Sequence, residues 1–323
     1  MYTPPFDISP QAINLIASIS AQIERYAIHL ERNDGLRLQK ANRIKTIHSS
    51  LAIEGNTLTE TEVRDIIDGK QVIAPAREIQ EVRNAIRTYE AYDSFNPHNV
   101  NDLLRAHKLL MEGLAEDAGR FRKGGVGVFG EKGLVHLAPP ADRVPMLIDG
   151  LLGWLKSSGD HLLIRSCVFH YEFEIIHPFS DGNGRTGRLW QSHILGQLNP
   201  LFKHLPVENI VYANQQAYYN AIAASTKAGQ SGPFIDFMLD KILTALQEHR
   251  SEGQDKLQDK LPDSALSVLK CILDDNSVTA NKIAEQTGLK ERQVRSHIAA
   301  LKKAAGAIRR VGSNKTGHWE IIV

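Results

Sequence analysis

The stretch from residue 177 to residue 188 concentrates residue types that handle phosphate groups. His177 supplies an imidazole, whose ordinary pKa lies near neutral pH, and is therefore a candidate general base. Asp181 supplies a carboxylate that can hold Mg²⁺ against phosphate oxygens. The run Gly182–Gly184 tolerates left-handed backbone, so that successive N–H groups can turn inward and bind an anion. Together these residues indicate a site for phosphoryl or nucleotidyl transfer.

Helical segments on both sides of this stretch must position the reactive groups. Upstream, Phe169, Phe173 and Ile176 recur at helical spacing, so we expect a helix that delivers the histidine to its C-terminal end. Downstream, Arg185 and Arg188 are three residues apart, which places both guanidiniums on one face of a second helix. The N-terminus of that second helix would add its dipole to the anion site.

Spacing by itself leaves a second interpretation open, in which this is an exposed glycine-rich loop between helices and the aspartate is only a cap. The dinucleotide pattern G-x-G-x-x-G occurs twice, starting at Gly125 and at Gly182, but neither copy opens a strand–helix–strand unit. The P-loop pattern G-x-x-x-x-G-K-[ST] does not occur in the sequence. The sequence therefore gives no support to a Rossmann or P-loop fold.

The letters HPFSDGNGRTGR, from His177 to Arg188, resemble the signature HPFx[DE]GNGRxxR of the Fic (filamentation induced by cAMP) family. Supporting similarity covers residues 40–245 and includes the GRFR run that ends at Arg122. The resemblance implies a mainly α-helical Fic fold with a β-hairpin flap. It also implies an enzyme, a nucleotidyltransferase that moves AMP from ATP onto a serine, threonine or tyrosine hydroxyl of a protein.

The resemblance assigns a role to each polar residue of the motif. His177 would deprotonate the target hydroxyl, and Asp181 would bind Mg²⁺, with Mn²⁺ as the alternative metal. The residues expected to bind the nucleotide are Gly182, Asn183, Gly184, Arg185, Arg188, Tyr218 and Tyr219. The glycines and the asparagine would cradle the α- and β-phosphates, and the tyrosine pair would lie near the adenine. Aromatic residues at this spacing are also common in a core, which is the alternative for the tyrosines.

Glycines that alternate with valine, phenylalanine and leucine between residues 124 and 137 predict a β-hairpin. This hairpin resembles the flap of the family, whose exposed strand edge can pair with an extended segment of the target protein. The residues expected to dock the target are Gly125, Val126, Gly127 and Val128. A surface hairpin without a role is the alternative.

The run SLAIEG ends a predicted helix, and by itself it would make Glu54 a solvated acid. The run is similar, however, to the inhibitory motif [ST]xxxE[GN] of the family in its N-terminal position. Ser50 and Glu54 are one helical turn apart and can face the same site. The resemblance implies that Glu54 pairs with Arg188, occupies the place of the γ-phosphate and holds ATP in an unproductive pose.

After residue 263 the pattern of three helices and a hairpin is typical of a winged-helix domain. Residues 290–315 contain eight lysines and arginines against one acid, Glu291. A basic third helix and wing indicate a nucleic-acid surface, so we expect duplex DNA as a partner, with Arg292 and Arg295 among the contacts. A winged helix that binds protein is the alternative.

These features divide the 323 residues, which are too many for one ordinary core, into four parts. They are an N-terminal helical region with the inhibitory helix (1–95), a Fic catalytic core (96–248), a linker (249–263) and the winged-helix domain (264–323). The polar linker segment is also compatible with a helix end that runs into a linker.

Composition bounds the setting of the protein. A net charge of +1 creates no global field that would dictate a partner. The two cysteines indicate reduced core residues rather than a disulfide framework. The N-terminus lacks the pattern of a signal peptide, and no apolar run reaches membrane-spanning length, so we expect a soluble cytoplasmic protein without membrane partners. A homo-oligomer is compatible with the sequence.

The sequence thus predicts an autoinhibited, Mg²⁺-dependent protein adenylyltransferase with ATP and a protein hydroxyl as its substrates. Two alternatives remain at this point. The first is removal of AMP from a modified target, in which Glu54 would orient a water molecule. The second is a DNA-binding regulator that uses the Fic core as a nucleotide sensor. The intact set of base, metal ligand and arginines favours catalysis, because a sensor would not need His177.

Overall fold

The computed structural model describes residues 2–32, 35–130, 133–205, 207–258, 263–304, 308–311 and 317–321. Helices dominate these residues, as predicted from the sequence. The helices are α1 (Pro10–Arg32), α2 (Gly35–Ala52), α3 (Glu60–Ile67), α4 (Ala76–Glu90), α5 (Val100–Met111), α6 (Val144–Ser157), α7 (Leu162–Ile176), α8 (Asn183–Leu198), α9 (Val207–Ala213), α10 (Gln215–Ala228), α11 (Gly232–Gln258), α12 (Asp263–Asp274), α13 (Ala280–Thr287) and α14 (Glu291–Ala304). The strands are β1 (Gly127–Gly130), β2 (Gly133–Leu137), β3 (Ile308–Val311) and β4 (His318–Ile321).

The centre of the first compact unit, Met1–Ser20 with Gln39–Ala245, is the pair α7 and α8. Twelve of the 15 residues of α7 are buried, so this helix is surrounded by protein on all sides rather than on one amphipathic face. Phe169, Phe173 and Trp190 are fully buried in this pair of helices. Because α7 and α8 are immobilised by packing, the loop between them, residues 177–182, is held at both ends.

A second cluster of apolar side chains holds the N-terminal helices of the same unit together. It joins α2, α3 and α4 through Ile47, Leu51, Val63 and Val82, among others. Helix α3 begins with a capping box, in which the hydroxyl of Thr59 accepts a hydrogen bond from the backbone N–H at the third helical position. The segment Ser50–Glu54 is therefore anchored in a packed core and does not depend on local helix propensity alone.

The compact units differ from the predicted domains 1–95 and 96–248. Residues 39–95 belong to the same unit as residues 96–245, whereas residues 21–38 group with residues 246–323. The physical reason is long-range contact across the expected boundary. The side chain of Asn84 in α4 donates hydrogen bonds to the backbone carbonyls of Leu110 and Glu112, and α4 packs on α5. A boundary drawn from sequence composition cannot register such contacts.

Much of the predicted linker 249–263 is helical. Helix α11 extends to Gln258, and α12 begins at Asp263, while residues 259–262 lie outside the described residues. The polar residues of this segment include glutamate, glutamine, lysine and arginine, which are good helix formers although they bury little apolar surface.

The second compact unit contains α12, α13 and α14, followed by the antiparallel pair β3 and β4. One apolar cluster unites these elements and includes Val268, Ile283, Val294, Ile308 and Trp319. The indole Nε1 of Trp319 donates a hydrogen bond to the carbonyl of Val278, which fixes the second strand to the loop before α13. The described residues therefore show the predicted order of elements, and residues 312–316 of the turn predicted from Gly312 to Gly317 lie outside them.

No helix in the described part of the chain is long and apolar enough to cross a membrane.

Candidate active site

His177 ends α7 in an unusual backbone conformation. Its φ of 48° and ψ of 62° place it in the left-handed region, and among the described non-glycine residues only His177 has a positive φ. Its N–H still bonds the carbonyl of Phe173 at 2.9 Å. A left-handed C-cap reverses the chain at the end of a helix, and for a residue other than glycine it costs about 1–3 kcal/mol. Strain of this kind is concentrated at functional sites, which agrees with the predicted role of the imidazole.

Arg122 holds the C-terminal end of α7 through a set of carbonyl groups. The Nε of this buried guanidinium bonds the carbonyl of His177 at 2.7 Å, and Nη2 bonds that of Ile176 at 3.2 Å. Nη1 bonds the carbonyl of Gly124 at 2.8 Å, and Nη2 also bonds that of Pro139 at 2.6 Å. One side chain thereby ties the backbone of the base to both ends of the β1–β2 segment. Sequence reasoning gave Arg122 no role, although the GRFR run marked it.

The environment of His177 favours its neutral form. Burial lowers the pKa of the imidazole, and the cationic Arg122 lowers it further, while the carbonyl of Glu174 acts in the opposite direction. That carbonyl lies 3.4 Å from Nδ1, so a proton on Nδ1 would leave the Nε2 lone pair available. A half-buried neutral imidazole, with one nitrogen unbonded among the residues that the structure describes, is suited to accept a proton from a hydroxyl group.

Buried side chains fix the loop that follows His177. The ring of Phe179 stacks on that of His107 at a centroid distance of 3.6 Å. The N–H of Gly119 donates to Nδ1 of His107, so that Nε2 of this ring donates to the carbonyl of Asp181 at 2.9 Å. The side chain of Asn183 bonds both the N–H and the carbonyl of Phe179 at 2.9 Å. Asn183 therefore shapes the loop with its side chain.

Two glycines at the N-terminus of α8 lie where a side chain would collide with neighbouring protein atoms. Gly182 has a φ of 81°, and a Cβ there would lie 2.6 Å from the sulfur of Met111. A Cβ on Gly184 would collide with the carboxylate of Glu54 and lie 2.9 Å from Nη1 of Arg188. Helix α8 has 16 residues, so its positive dipole end is directed at the same place. Backbone N–H groups and a helix N-terminus together form a site for phosphate.

Asp181 is the one predicted metal ligand, and its side chain is 45% exposed. Its Oδ1 accepts a hydrogen bond from the N–H of Gly182 at 2.6 Å and lies 3.2 Å from Nη2 of Arg185. Its Oδ2 lies 3.6 Å from Nη2 of Arg77. In the part of the chain that the structure describes, no three His, Cys, Asp or Glu residues cluster as a ligand set. A single accessible carboxylate fits Mg²⁺, which is commonly bound by one or two carboxylates together with substrate phosphates and waters.

The two arginines of the motif lie on the same buried face of α8, as their spacing predicted. The side chain of Arg185 is 4% exposed and that of Arg188 is 3% exposed. Arg185 lies between two carboxylates. Its Nη2 is 3.2 Å from Oδ1 of Asp181, and its Nη1 is 3.6 Å from Oε1 of Glu81. Buried guanidiniums of this kind can bind phosphate oxygens without competition from water.

Arg188 is occupied by the segment Ser50–Glu54. Its Nη2 donates to Oε1 of Glu54 at 2.7 Å and to the carbonyl of Ser50 at 2.9 Å, and its Nε lies 3.3 Å from the hydroxyl of Ser50. The structure thus brings Ser50, Glu54 and Arg188 together across more than a hundred residues of sequence. The carboxylate of Glu54 retains 29% exposure, whereas Arg188 has almost none.

Two buried carboxyl groups near Arg188 were not identified from the sequence. Burial raises the pKa of Glu174 to about 7, with Arg188 acting against this rise and Glu54 adding to it. Burial likewise raises the pKa of Glu208 to about 7, and Arg188 again opposes the rise. Glu208 and Arg188 line a cavity of about 10 Å³, which is room for roughly one water molecule. Both acids lie within apolar helical stretches, where spacing gave no signal for them.

Tyr218 and Tyr219 have different environments. Tyr218 is 3% exposed, and its hydroxyl bonds Nε2 of the buried His170 at 3.0 Å. Tyr218 therefore packs in the core with its hydroxyl group bonded inside the protein, and its contact with a nucleotide stays a prediction. Tyr219 is half-buried and meets Tyr218 edge to face at 5.4 Å. Of the pair, Tyr219 is the more exposed, and its contact with a base also stays a prediction.

Strands β1 and β2 form the predicted antiparallel pair at residues 127–137, with Gly127 opposite Leu137 and Val128 opposite His136. The pairing continues outward, because the N–H of Ala138 bonds the carbonyl of Val126 at 3.2 Å. Just before the strand pair, the carbonyl of Gly124 accepts a hydrogen bond from Nη1 of Arg122. The strands are thus attached to the end of α7 that carries the candidate base.

The residues predicted to contact DNA belong to the second unit and lie on α14. Arg292 and Arg295 are both exposed. Nε of Arg295 bonds the carboxylate of Glu291 at 3.0 Å, which is an i,i+4 pair on the helix surface. Lys315, which the sequence assigned to the same surface, lies outside the described residues.

A histidine at a helix end, a glycine-rich loop and two buried arginines define a class of mainly helical proteins with a phosphate-binding loop between two central helices. A family model of the Fic/DOC family matches residues 97–195. The crystal structure of a Fic family protein from Desulfovibrio desulfuricans G20 is similar over 99% of this chain and 98% of that chain, with 42% identity and a TM-score of 0.76. The chain belongs to the Fic/DOC family.

Curated relatives extend the comparison. Proteins named protein adenylyltransferase Fic from Culex quinquefasciatus and Drosophila melanogaster are 29% and 28% identical over 63% and 66% of this chain. The chain spans about two-fifths of the length of these curated relatives. Fic-1 from C. elegans has 20% identity and a TM-score of 0.59 over 75% of this chain and 74% of that chain, which supports the fold alone.

Proposed function

We propose that this protein is a Mg²⁺-dependent protein adenylyltransferase that is restrained by its Ser50–Glu54 segment. The observation that carries the proposal is the arrangement at the junction of α7 and α8. A neutral imidazole at the end of α7 is joined by the five residues 178–182 to the N-terminus of α8, where Gly184 lies close to Glu54 and two buried arginines supply positive charge. The names of the curated relatives support the same activity.

The chemistry follows from the position of each group. His177 would take the proton of a serine, threonine or tyrosine hydroxyl, and the hydroxyl oxygen would attack the α-phosphorus of ATP. The bond between the α-phosphorus and the bridging oxygen then breaks, and pyrophosphate leaves with that electron pair. Asp181 would hold Mg²⁺, which neutralises charge on the phosphate oxygens. Arg185 would stabilise the negative charge on the outer phosphates.

Restraint by Glu54 is supported by how completely Arg188 is engaged. Its guanidinium donates hydrogen bonds to the carboxylate of Glu54 and to the carbonyl and hydroxyl of Ser50. A γ-phosphate would have to replace this carboxylate as the partner of the same buried cation. While Glu54 is in place, ATP loses that anchor, and the α-phosphorus is misaligned for in-line attack. A small misplacement of reacting groups can cost about a hundredfold in rate.

The β1–β2 segment is proposed to present the target hydroxyl to His177. Gly125 and Val126 precede β1, and Gly127 and Val128 belong to it, so that the edge of this two-stranded pair would offer backbone groups to an extended peptide. Arg122 connects this segment to the carbonyl of His177, so that a docked peptide and the base share one rigid support. This arrangement would place the hydroxyl without requiring a particular side chain in the target.

The deciding experiment compares transfer of label from α-labelled and γ-labelled ATP. The protein, its Glu54→Gly variant and the matched His177→Ala variant are incubated with Mg²⁺, with and without cell lysate. Nucleotidyl transfer predicts label on protein from the α position alone, most strongly for Glu54→Gly and absent for His177→Ala. Label from the γ position alone would mean phosphoryl transfer and would refute the proposal.

A second function is favoured by the surface of α14. Arg292 and Arg295 are exposed on a helix that is followed by two antiparallel strands, and residues 290–315 carry eight basic residues against one acid. We propose that this unit is a winged-helix domain that binds duplex DNA through phosphate contacts. If the domain binds a protein instead, binding to duplex DNA should be absent or independent of salt.

A further inference from the structure

Glu81, in the second turn of α4, lies between the Ser50–Glu54 segment and the phosphate-binding motif. Its Oε2 accepts a hydrogen bond from Nδ2 of Asn56 at 2.8 Å. Its Oε1 lies 3.6 Å from Nη1 of Arg185 and 3.6 Å from Nε of Arg77. The side chain of Glu81 is 11% exposed, so these charges interact with little screening by water. One carboxylate therefore contacts both parts of the site through separate oxygens.

Arg185 uses only part of its capacity to donate hydrogen bonds. Its Nη2 faces Asp181 at 3.2 Å, but its Nε and Nη1 are buried and have no hydrogen-bond partner within the described residues. The 3.6 Å to Glu81 is too long for a hydrogen bond, so the carboxylate fixes the guanidinium by charge and leaves those donors unsatisfied. Unsatisfied buried donors are costly, and at a phosphate-binding loop they indicate acceptor oxygens of a ligand.

The orientation of Glu81 depends on the turn that follows Glu54. Asn56 is buried, and its Oδ1 accepts a hydrogen bond from the N–H of Leu58 at 3.1 Å, which fixes the direction of the amide. The Nδ2 of the same amide can therefore reach Glu81 and also the carbonyl of Glu78 at 3.3 Å. If this turn moves, the carboxylate of Glu81 loses the group that sets its rotation.

A neighbouring carboxylate provides a natural comparison. Oε2 of Glu78 accepts hydrogen bonds from the N–H and the hydroxyl of Thr57, at 2.8 and 2.9 Å. Glu78 thus holds the same turn to the same helix as Glu81 does. Unlike Glu81, Glu78 makes no ion pair with Arg185 among the contacts of the described residues. Any effect that depends on Arg185 should therefore separate the two glutamates.

We propose that Glu81 is a positioning residue that couples the turn after Glu54 to the phosphate-binding pose of Arg185. The end of α2 and the turn after it then control both arginines of the motif. Glu54 acts directly on Arg188, and Asn56 acts on Arg185 through the carboxylate of Glu81. With the turn in place, Glu81 presents Arg185 with its free donors ready for phosphate oxygens. This inference rests on the proposed nucleotide site and adds the residue that prepares one side of it.

The first readout needs no nucleotide and no activity. The Nε–Hε resonance of Arg185 is followed by NMR in the ligand-free protein and assigned with Arg185→Lys. Glu81→Gln, which keeps a carbonyl for Asn56 but removes the charge, should shift or broaden this resonance. Asn56→Ala should change it in the same direction, because the carboxylate is no longer oriented. The matched control Glu78→Gln should leave it unchanged, and the resonance of Arg188 serves as an internal reference for folding.

The second readout is ATP binding with Mg²⁺, measured by calorimetry in the Glu54→Gly background. Glu81→Gln should weaken binding about tenfold, the effect of misplacing one charge-assisted hydrogen bond. Asn56→Ala should weaken it less, and the double variant should be no worse than Glu81→Gln alone, because both act through one carboxylate. Glu78→Gln should stay within about twofold of the background. Where Glu81→Gln does not fold, Glu81→Asp replaces it, with the charge kept but withdrawn from Arg185.

An Arg185 resonance that is unchanged by Glu81→Gln, or changed as much by Glu78→Gln, would overturn the inference. Equal ATP affinity for Glu81→Gln and its background would do the same. Failure of the proposed function looks different, since ATP would bind and Arg185 would respond to Glu81, but no AMP would reach a protein.

Discussion

Replacing Glu54 with glycine removes the carboxylate that occupies Arg188 and leaves the surrounding backbone intact. Glu54 lies in the turn after α2, and the next residue, Gly55, already has a φ of 91°. Glycine therefore suits the local conformation, and the core formed by Ile47, Leu51 and Val63 does not involve the side chain at position 54. The substitution tests the charge at this position rather than the integrity of the helix.

The expected size of the effect follows from the geometry of the pair. Oε1 of Glu54 lies 2.7 Å from Nη2 of Arg188. At an effective dielectric constant of about 20, their attraction is about 6 kcal/mol before desolvation is counted. Burial of Arg188 and partial exposure of Glu54 reduce the net contribution to about 1–2 kcal/mol. In the proposed mechanism ATP must recruit Arg188 for the productive pose, so the same free energy opposes productive binding, which corresponds to a factor of roughly five to thirty.

The assay measures incorporation of AMP into the protein itself from α-labelled ATP. Glu54→Gly should exceed the parent protein by roughly five- to thirtyfold, and Glu54→Gln, which keeps the volume but loses the charge, should lie between them. Arg188→Ala should not mimic the activation, because Arg188 also serves the productive pose, and the Glu54→Gly/Arg188→Ala double variant should resemble Arg188→Ala. If Glu54→Gly is no more active than the parent at equal folded fraction, Glu54 is an ordinary helix terminus and the reasoning fails.

Three further outcomes are expected. His177→Ala should abolish AMP transfer while ATP binding remains measurable by calorimetry, since the imidazole acts on the hydroxyl and not on the phosphates; retention of full activity would remove His177 from the mechanism. Glu208→Gln should raise the free energy of unfolding relative to the parent, because the carboxyl, whose pKa burial raises from 4.5 to about 7, is destabilising when ionised. The gain should be small near pH 4.5 and reach about 3 kcal/mol above pH 7, as measured by urea unfolding across that range, and a gain independent of pH would contradict it. Duplex DNA should bind with an affinity that falls steeply with salt, and Arg292→Ala with Arg295→Ala should weaken binding and flatten that slope; absent or salt-independent binding would indicate a protein-binding domain.

The motif between α7 and α8 was accessible to sequence reasoning because its composition is rare and its spacing is tight. Arg185 and Arg188 share a helix face for geometric reasons that require no knowledge of the fold. Glu54 and Arg188 are different, since only the family resemblance linked two segments so far apart. The structure contains that contact at 2.7 Å. Local periodicity alone would have left Glu54 in solvent.

Residues that act through tertiary contacts could not be found in this way. Arg122 and Glu81 look like ordinary charged residues of a loop and of an amphipathic helix, and only the folded chain places them against carbonyl groups and Arg185. Tyr218 shows the reverse case, because an aromatic residue at helical spacing looks the same whether it lines a pocket or bonds His170 in the core. Grouping of residues 21–38 with the C-terminal unit likewise depends on contacts distant in sequence.

The left-handed backbone of His177 affects which substitutions are favourable for stability at this position. Only glycine and, to a lesser degree, asparagine adopt that conformation without the penalty of about 1–2 kcal/mol that other residues incur. A substitution to either residue would therefore remove the base and relax the chain at the same time. Once selection for transfer is lost, stability alone would favour glycine or asparagine at this position. Under the proposed function, a histidine retained there is maintained by its chemistry against the preference of its own backbone.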